Sequence, residues 1–373
     1  MDISIPKETR AREHRVSLTP SGAKALVQQG HRVFVETGAG VDTGHPDADY
    51  QSAGAAIVFS PAEVYGRGEL IVGVYAPPPP HYELFVPGRI IFGFWGLPAA
   101  RPEDFRALQA CEITAVGSEV IEDERGNAPV LTSMSEIAGR LAVTVGASLL
   151  LNEFGGKGVL LGGAPGVPPA NMVILGAGVL GRAAARAAVG AGAHVTLLDR
   201  SVDRLRTAAQ ELPGSVATLL STQPNIERAI SFANLVLGAA AVHGQRAPVL
   251  ITRPMLRLMR PRSLLMDLSI DMGGCFETSR PTSFPDPLYE VDGIRHFCVP
   301  NLPSVAGRSS TLALTNALLP YLVEVAGVGF EKALLSMPDL GRGTYLYRGK
   351  CCRESLAQAF GVPFVAARDG LER

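Results

Sequence analysis

Met172-Val-Ile-Leu-Gly176-Ala-Gly178-Val-Leu-Gly181 is an apolar run entering a G-x-G-x-x-G turn, and an alanine-rich helical segment, Arg182 to Ala191, follows it. A second apolar run, Val195–Leu198, ends at Asp199, about 20 residues beyond the glycines, where dinucleotide-binding units carry an acid. Strand, glycine turn, helix, strand and acid stand in the order a βαβ unit requires. Gly176 permits the tight turn, Gly178 lets backbone approach a pyrophosphate, and Gly181 lets helix and strand pack closely. The helix N-terminus offers unpaired N–H groups and a partial positive charge to the phosphates. Asp199 can bond the ribose hydroxyls and would repel a 2′-phosphate, so NAD is the expected cofactor. Arg200 and Arg204 are the residues that would accept a 2′-phosphate instead. A Rossmann-shaped unit with an empty nucleotide site is the alternative on the same residues.

Working outward, short apolar runs alternate with helix-like segments, the pattern of a parallel α/β protein. Ile3–Ile5, Val33–Glu36, Ile71–Val74 and Ile90–Phe94 read as strands, and Ser21–Gln29 as a helix capped by Thr19 or Ser21. The four prolines 77–80 predict an extended surface loop, because each removes a backbone donor. A long apolar helix opens at Met134, with Ser133 or Ser135 as its cap. Gly155 to Pro169 reads as the loop delivering the chain into the Rossmann strand. Beyond Asp199, Asn234–Gly238 and Leu264–Leu268 read as strands and Arg253–Met259 as a helix. From about Ser309 the chain reads as helical. The fold class expected is α/β with two Rossmann-like domains, doubly wound parallel sheets and a cleft between them.

Totals narrow the function classes. At 373 residues the chain is long enough for two domains. Lys+Arg number 34 and Asp+Glu 35, a net charge of -1 that gives no electrostatic reason for nucleic-acid or membrane binding. Five scattered cysteines form no CxxC pair and no metal-ligand spacing, so free thiols, no metal and a reducing, cytoplasmic setting are expected. Leu312 to Phe330 is the most membrane-like stretch, but Asn316, Pro320 and Glu324 favour a buried or interfacial helix.

Longer strings carry a family resemblance. Ile5-Pro-Lys-Glu, Arg15-Val-Ser-Leu-Thr-Pro-Ser-Gly, Glu36-Thr-Gly-Ala-Gly and Met134-Ser-Glu-Ile-Ala-Gly-Arg lie in the first part. Gly162-Gly-Ala-Pro-Gly-Val-Pro-Pro-Ala, Asp271-Met-Gly-Gly-Cys-Phe-Glu-Thr-Ser-Arg-Pro-Thr, Cys298-Val-Pro-Asn-Leu-Pro and Ser310-Thr-Leu-Ala-Leu-Thr-Asn follow. Together they resemble the alanine dehydrogenase family over essentially the whole chain. The resemblance implies a substrate domain split around an inserted NAD domain: residues 1–130, then 131–304 for NAD, then helices over 305–373 returning to the substrate domain. It also implies a homohexamer and a small carboxylate-bearing substrate. By position, Arg15 would pair with the substrate carboxylate, Asp271 would lie beside substrate and nicotinamide, and Asn301 would close the site. Ser135, Asp199, Arg204 and Ser221 would contact the cofactor. Each has a plainer reading: Arg15 as a surface ion pair, Asp271 as a strand-end cap, Ser221 as a loop residue.

Two positions depart from the pattern. Where the family carries a lysine, Ile71-Val-Gly-Val-Tyr75-Ala-Pro places Tyr75; where it carries a histidine, Ile90-Ile-Phe-Gly-Phe-Trp-Gly96 places Gly96. No lysine occurs between Lys24 and Lys157, and His81 is the only histidine between His45 and His194. Positioned acid/base catalysis is worth about 10²–10⁴ in rate, so the loss predicts a reaction other than ordinary alanine deamination. The NAD-binding domain of proton-translocating transhydrogenase, which is similar overall, also lacks this lysine and histidine. Ala239-Ala-Ala-Val-His243-Gly is smaller than the family's nicotinamide neighbourhood and leaves room for a larger substrate. His243 stands there as a replacement acid or a plain loop residue. Tyr75 stands as a proton donor or as a plug for the emptied pocket. The reading that fits these losses is an NAD(H)-dependent oxidoreductase on an amino, imino or keto acid bulkier than alanine, with imine reduction favoured and Asp271 and Tyr75 as its catalytic residues. Its alternatives are a non-catalytic NAD(H)-binding sensor or scaffold, and an alanine dehydrogenase with substitute catalytic groups.

Overall fold

The computed structural model describes residues 1–212, 214, 216–240 and 246–367. Its strands in chain order are β1 Asp2–Ile5, β2 Arg32–Glu36, β3 Ala56–Val58, β4 Leu70–Tyr75, β5 Ile90–Phe94 and β6 Thr114–Gly117. There follow β7 Asn171–Leu175, β8 His194–Asp199, β9 Ala217–Leu220, β10 Leu235–Gly238, β11 Leu264–Asp267, β12 Leu288–Val291 and β13 Ile294–Phe297. The last two are β14 Thr344–Tyr347 and β15 Lys350–Cys351. The chain divides into two compact units, Met1–Met134 with Ser304–Arg373, and Ser135–Pro303.

Both units are built on the same strand order. In the first, an 8-stranded sheet runs β15-β14-β6-β5-β4-β1-β2-β3; in the second, a 7-stranded sheet runs β12-β13-β11-β10-β7-β8-β9. The six strands from β3 to β6 are parallel neighbours, as are the six from β9 to β13 through β7, and each set reverses direction of winding beside its first strand. That is the doubly wound Rossmann order, so the expected fold class holds for both units.

In the second unit the sheet is covered on both faces. Met172, Ile174, Val195 and Leu197 join one buried cluster, and Val173, Leu175 and Leu198 join the other. Burying each of these side chains stabilises by about 1.5–3 kcal/mol, but a strand apolar on both faces gains nearly the same in either register. Register therefore needs polar ends. The Asn171 N–H donates to Asn234 Oδ1 at 2.8 Å, tying the start of β7 to β10, and Asp199 ties the far end of β7 to β8.

Several local expectations change. The Rossmann helix is Val179–Gly190 and starts earlier than Arg182, directly behind Gly178. The long helix is Pro129–Leu149, so Ser133 and Ser135 lie inside it and cap nothing. Its proline sits at the first position, where no intrahelical donor is needed. Thr19, not Ser21, caps the helix Pro20–Gln28. The proline run does not stay extended: Pro79–Leu84 is a 3-10 helix, which the fixed φ of proline suits. Arg253–Leu258 is also 3-10. The tail expected as helices returning to the substrate domain also contributes β14 and β15, antiparallel strands closing one edge of the first sheet. The helix Gly307–Val328 is long and apolar enough to cross a membrane. It packs within the first unit against the helices Pro20–Gln28 and Phe330–Ser336, the place of a core helix.

One close approach in the second unit escapes any motif. A Cβ added at Gly139, on the long helix, would sit 2.3 Å from the Leu180 carbonyl oxygen and 2.9 Å from Ala183 Cβ. Backbone cannot yield as a flexible side chain does. Gly139→Ala is expected to destabilise by about 1–3 kcal/mol through overpacking, read as a lower urea midpoint at unchanged slope; an unchanged midpoint contradicts the contact.

Candidate active site

Parallel α/β sheets bind ligands at the carboxyl ends of their strands, where the winding reverses. In the second unit that point lies between β7 and β10, and the glycine turn occupies it. Gly176 has φ +117, and a Cβ there would lie 2.4 Å from the Ala239 carbonyl oxygen. At Gly181 a Cβ would lie 1.8 Å from the Gly176 oxygen. At Gly178 an added Cβ meets nothing within 4 Å. So two glycines are demanded by packing, while the third leaves open space at the start of the helix. That open face is where a pyrophosphate fits against helix N–H groups.

Asp199 ends β8 with its carboxylate buried, 6% exposed. Its Oδ2 accepts the Ala177 N–H at 2.7 Å and its Oδ1 the Ser201 N–H at 2.8 Å. The acid thus ties the glycine turn to the next loop, and each oxygen keeps a lone pair for a ribose hydroxyl. Arg204 Nη1 stands 4.0 Å away on a mostly exposed side chain. Ser221 follows β9 and donates its N–H to the Asp199 carbonyl at 2.9 Å, so it shares the same sheet edge. The Arg182 guanidinium donates to the Ala177 carbonyl at 2.9 Å and pairs with Glu211, holding the turn from behind. Ser135 lies on the helix Pro129–Leu149, half-buried. These residues fit NAD: an open phosphate cradle, a helix start and an acid where a 2′-phosphate would otherwise sit.

Beyond β11, a loop is organised by a residue the sequence reading passed over. Asp267 is fully buried and accepts N–H bonds from Ser269 (2.9 Å), Cys275 (2.8 Å) and Phe276 (3.4 Å), plus the Ser279 hydroxyl. Gly273 and Gly274, at φ +92 and +81, turn the chain back around it. The loop presents Asp271 at an exposed 3-10 turn, Ile270–Met272. Asp271 Oδ2 accepts the Asn301 N–H at 3.3 Å, and Asn301 adopts φ +54, a left-handed conformation that asparagine tolerates. The two residues expected in one site do meet within this unit. The signal for Asp267 was there, an acid closing a wholly apolar strand. His243, with 241–245, lies outside the described residues.

In the first unit, Arg15 is not a surface ion pair. It is 3% exposed, and Glu13 chelates it through Nε to Oε1 and Nη2 to Oε2, both at 2.7 Å. Arg15 Nη1 lies 3.4 Å from Met134 Sδ, and the guanidinium also bonds the Tyr75 side chain. Hydroxyls of Ser304, Thr311 and Thr315 accept the N–H groups of His14, Val16 and Thr19 at 2.9, 3.1 and 2.9 Å, pinning this extended segment. Tyr75 is half-buried; the Arg10 guanidinium lies 3.9 Å over its ring centre and Phe94 lies 6.2 Å away. Glu8 Oε1 accepts the Val74 and Tyr75 N–H groups at 2.6 and 3.3 Å. Gly96 has φ +58 with open space beyond its Cα. The Trp95 and Gly96 N–H groups donate to Glu119 Oε1 at 3.1 and 2.8 Å, and the Tyr345 hydroxyl donates to the same atom at 3.0 Å. Glu8, Arg10, Glu13 and Glu119 were invisible as a group because nothing in their spacing announces contact with positions 75 and 96.

Burial raises the Glu8 carboxyl from 4.5 to about 7, against the two N–H bonds; Glu13 adds to the rise and Arg15 opposes it. The folded chain therefore holds a proton that the unfolded chain releases above pH 4.5. Stability from this group is full below that pH and is lost as pH rises through about 7. Glu8→Gln should flatten that decline. Urea midpoints of wild type and variant, compared between about pH 5 and 8, should converge at low pH and part at high pH. A constant gap contradicts the assignment. For the cofactor, Asp199→Asn turns one acceptor into a donor facing an N–H, and should weaken NADH binding about tenfold or more. Calorimetry showing unchanged affinity contradicts the role given to Asp199.

Comparison with known proteins bears on the same elements. The family model described as alanine dehydrogenase/PNT, N-terminal domain, matches residues 4–138, and the C-terminal domain model matches 142–354. A protein of Halomonas elongata named alanine dehydrogenase is 43% identical over 367 residues, covering 98% of this chain and 99% of its own. A solved structure titled L-alanine dehydrogenase superposes with a TM-score of 0.92 at 42% identity, covering 97% of this chain and 99% of its own. A transhydrogenase structure from Sinorhizobium meliloti gives a TM-score of 0.80 at 25% identity, covering 95% and 100%.

Proposed function

The chain belongs to the alanine dehydrogenase/PNT family of NAD-dependent oxidoreductases acting on CH–NH2 groups, and on that premise we propose that it interconverts a carboxylate-bearing amine with its imine or keto acid, favouring imine reduction on a substrate bulkier than alanine. What supports this reading is the pair Tyr75 and Gly96, at the positions where the resemblance implies a lysine and a histidine. The family match itself gives no ground for excluding alanine. Deamination of alanine by substitute groups is therefore the second reading, favoured by relatives at 40–43% identity that carry that name.

When bound at the Gly176 turn, NAD(H) supplies or accepts a hydride at the substrate carbon. The residues do the rest. Arg15, its plane fixed by Glu13, orients the carboxylate. Tyr75 presents a hydroxyl to the reacting nitrogen or oxygen, and the bonded pair Asp271 and Asn301 is the polar group that the second unit offers. An iminium gains a hydride at carbon while its C=N π pair moves to nitrogen, so no proton donor is needed. A neutral imine requires one further proton at nitrogen, and the Tyr75 hydroxyl is the donor this unit offers. Oxidative deamination is more demanding, since a carbinolamine must gain and lose protons on two atoms. We also propose the family's homohexameric assembly, which sedimentation would report as a single species of six chains' mass.

Restoring the two family residues tests the substrate reading. Gly96→His has open space but keeps a left-handed backbone, which is strained by about 1 kcal/mol, and Tyr75→Lys restores the ammonium. The double variant should raise alanine deamination with NAD by about 10²–10⁴ over wild type, while lowering NADH-dependent reduction of a cyclic or secondary imino acid. Wild type that already deaminates alanine faster than the double variant contradicts the proposal in favour of the second reading.

A further inference from the structure

We propose that Arg10 supplies the substrate-attracting cation that the lysine position no longer provides, as a further carboxylate-binding residue of the site. The proposal rests on the carboxylate-substrate reading above and deepens it. Its basis is the stack at position 75, where the Arg10 guanidinium carbon lies 3.9 Å from the centre of the Tyr75 ring while that of Arg15 lies 5.5 Å from the same centre. An aromatic face attracts a cation at such distance, and arginine's planar group can stack while its edge donors stay directed outward.

Charge bookkeeping shows why Arg15 does not suffice. Glu13 holds the Nε–Nη2 edge of the Arg15 guanidinium in a buried, bidentate pair, with side-chain exposures of 3% and 0%. The pair is close to neutral as seen by an approaching anion, so Arg15 gives geometry more than attraction. Glu8, the other acid at this strand end, adds negative charge when ionised. Arg10 is exposed, and no carboxylate lies within ion-pair distance of it among the described residues. It is thus the uncompensated cation against Tyr75. Tyrosine in place of lysine then removes one positive charge and builds the platform on which another is seated.

Oxamate, an unreactive analogue of a 2-oxo acid, is a direct probe. Calorimetry of oxamate into the wild-type chain saturated with NADH should show binding, and Arg10→Ala should weaken it about tenfold or more, the worth of one charge-assisted contact. Arg10→Lys should recover part of the loss, since it keeps the charge without the planar stack. NADH affinity should be the same in all three. Adding Arg10→Ala to Tyr75→Ala should produce little further loss, because the platform is already gone. Equal oxamate binding by wild type and Arg10→Ala overturns the assignment of Arg10 and leaves the substrate reading standing. No oxamate binding by wild type, with NADH still bound, overturns the carboxylate-substrate reading and the Arg10 inference with it.

Discussion

The hydrogen bond from the Ala177 N–H to the Asp199 carboxylate, 2.7 Å long, is the contact on which the second unit's chemistry turns. It joins the glycine turn after β7 to the end of β8, and it does so with a buried acid whose other oxygen holds the following loop. Because both faces of these strands are apolar, packing alone does not select a register; polar ends do. The same carboxylate that joins the two strand ends is the group proposed to face an adenosine ribose. Structure and specificity are therefore not separable at this position.

The first unit uses buried charge differently. Glu13 and Arg15 form a pair out of water, a costly arrangement that persists where both groups are fully bonded. Threonine and serine hydroxyls from the returning segment hold the backbone on either side. Around this fixed point stand Tyr75, Glu8 and Arg10 at the end of β4, and Glu119 under the left-handed peptide of Gly96. Positions 75 and 96 are each held by an acid that bonds backbone N–H groups, Glu8 at Tyr75 and Glu119 at Gly96, so these acids fix the shape of both strand ends.

What could be read in advance follows the range of the contacts. The βαβ unit was legible because its glycines, helix start and acid lie within one short stretch, each with a steric or electrostatic reason of its own; the added-Cβ distances at Gly176, Gly178 and Gly181 repay that reading one residue at a time. Asp271 and Asn301 came only through resemblance, and they meet through a loop whose organiser, Asp267, no motif marked. β14 was missed because a short strand near a sheet edge draws its pairing from β6, more than two hundred residues earlier, and β15 has only β14 to pair with. The proline run misled because loss of donors was weighed and the match of proline's φ to a 3-10 turn was not. Gly139 could not have been found: helical glycines have no pattern, and its reason is a neighbouring backbone oxygen.

The proposed chemistry requires a dinucleotide seated at the Gly176 turn with its ribose on Asp199. Titration calorimetry of the purified chain with NADH and with NADPH tests this most directly. Saturable binding of NADH at one site per chain is expected, with NADPH binding weaker by about tenfold or more, as a 2′-phosphate meets the Asp199 carboxylate. Equal affinity for the two, or no uptake of either, would contradict this.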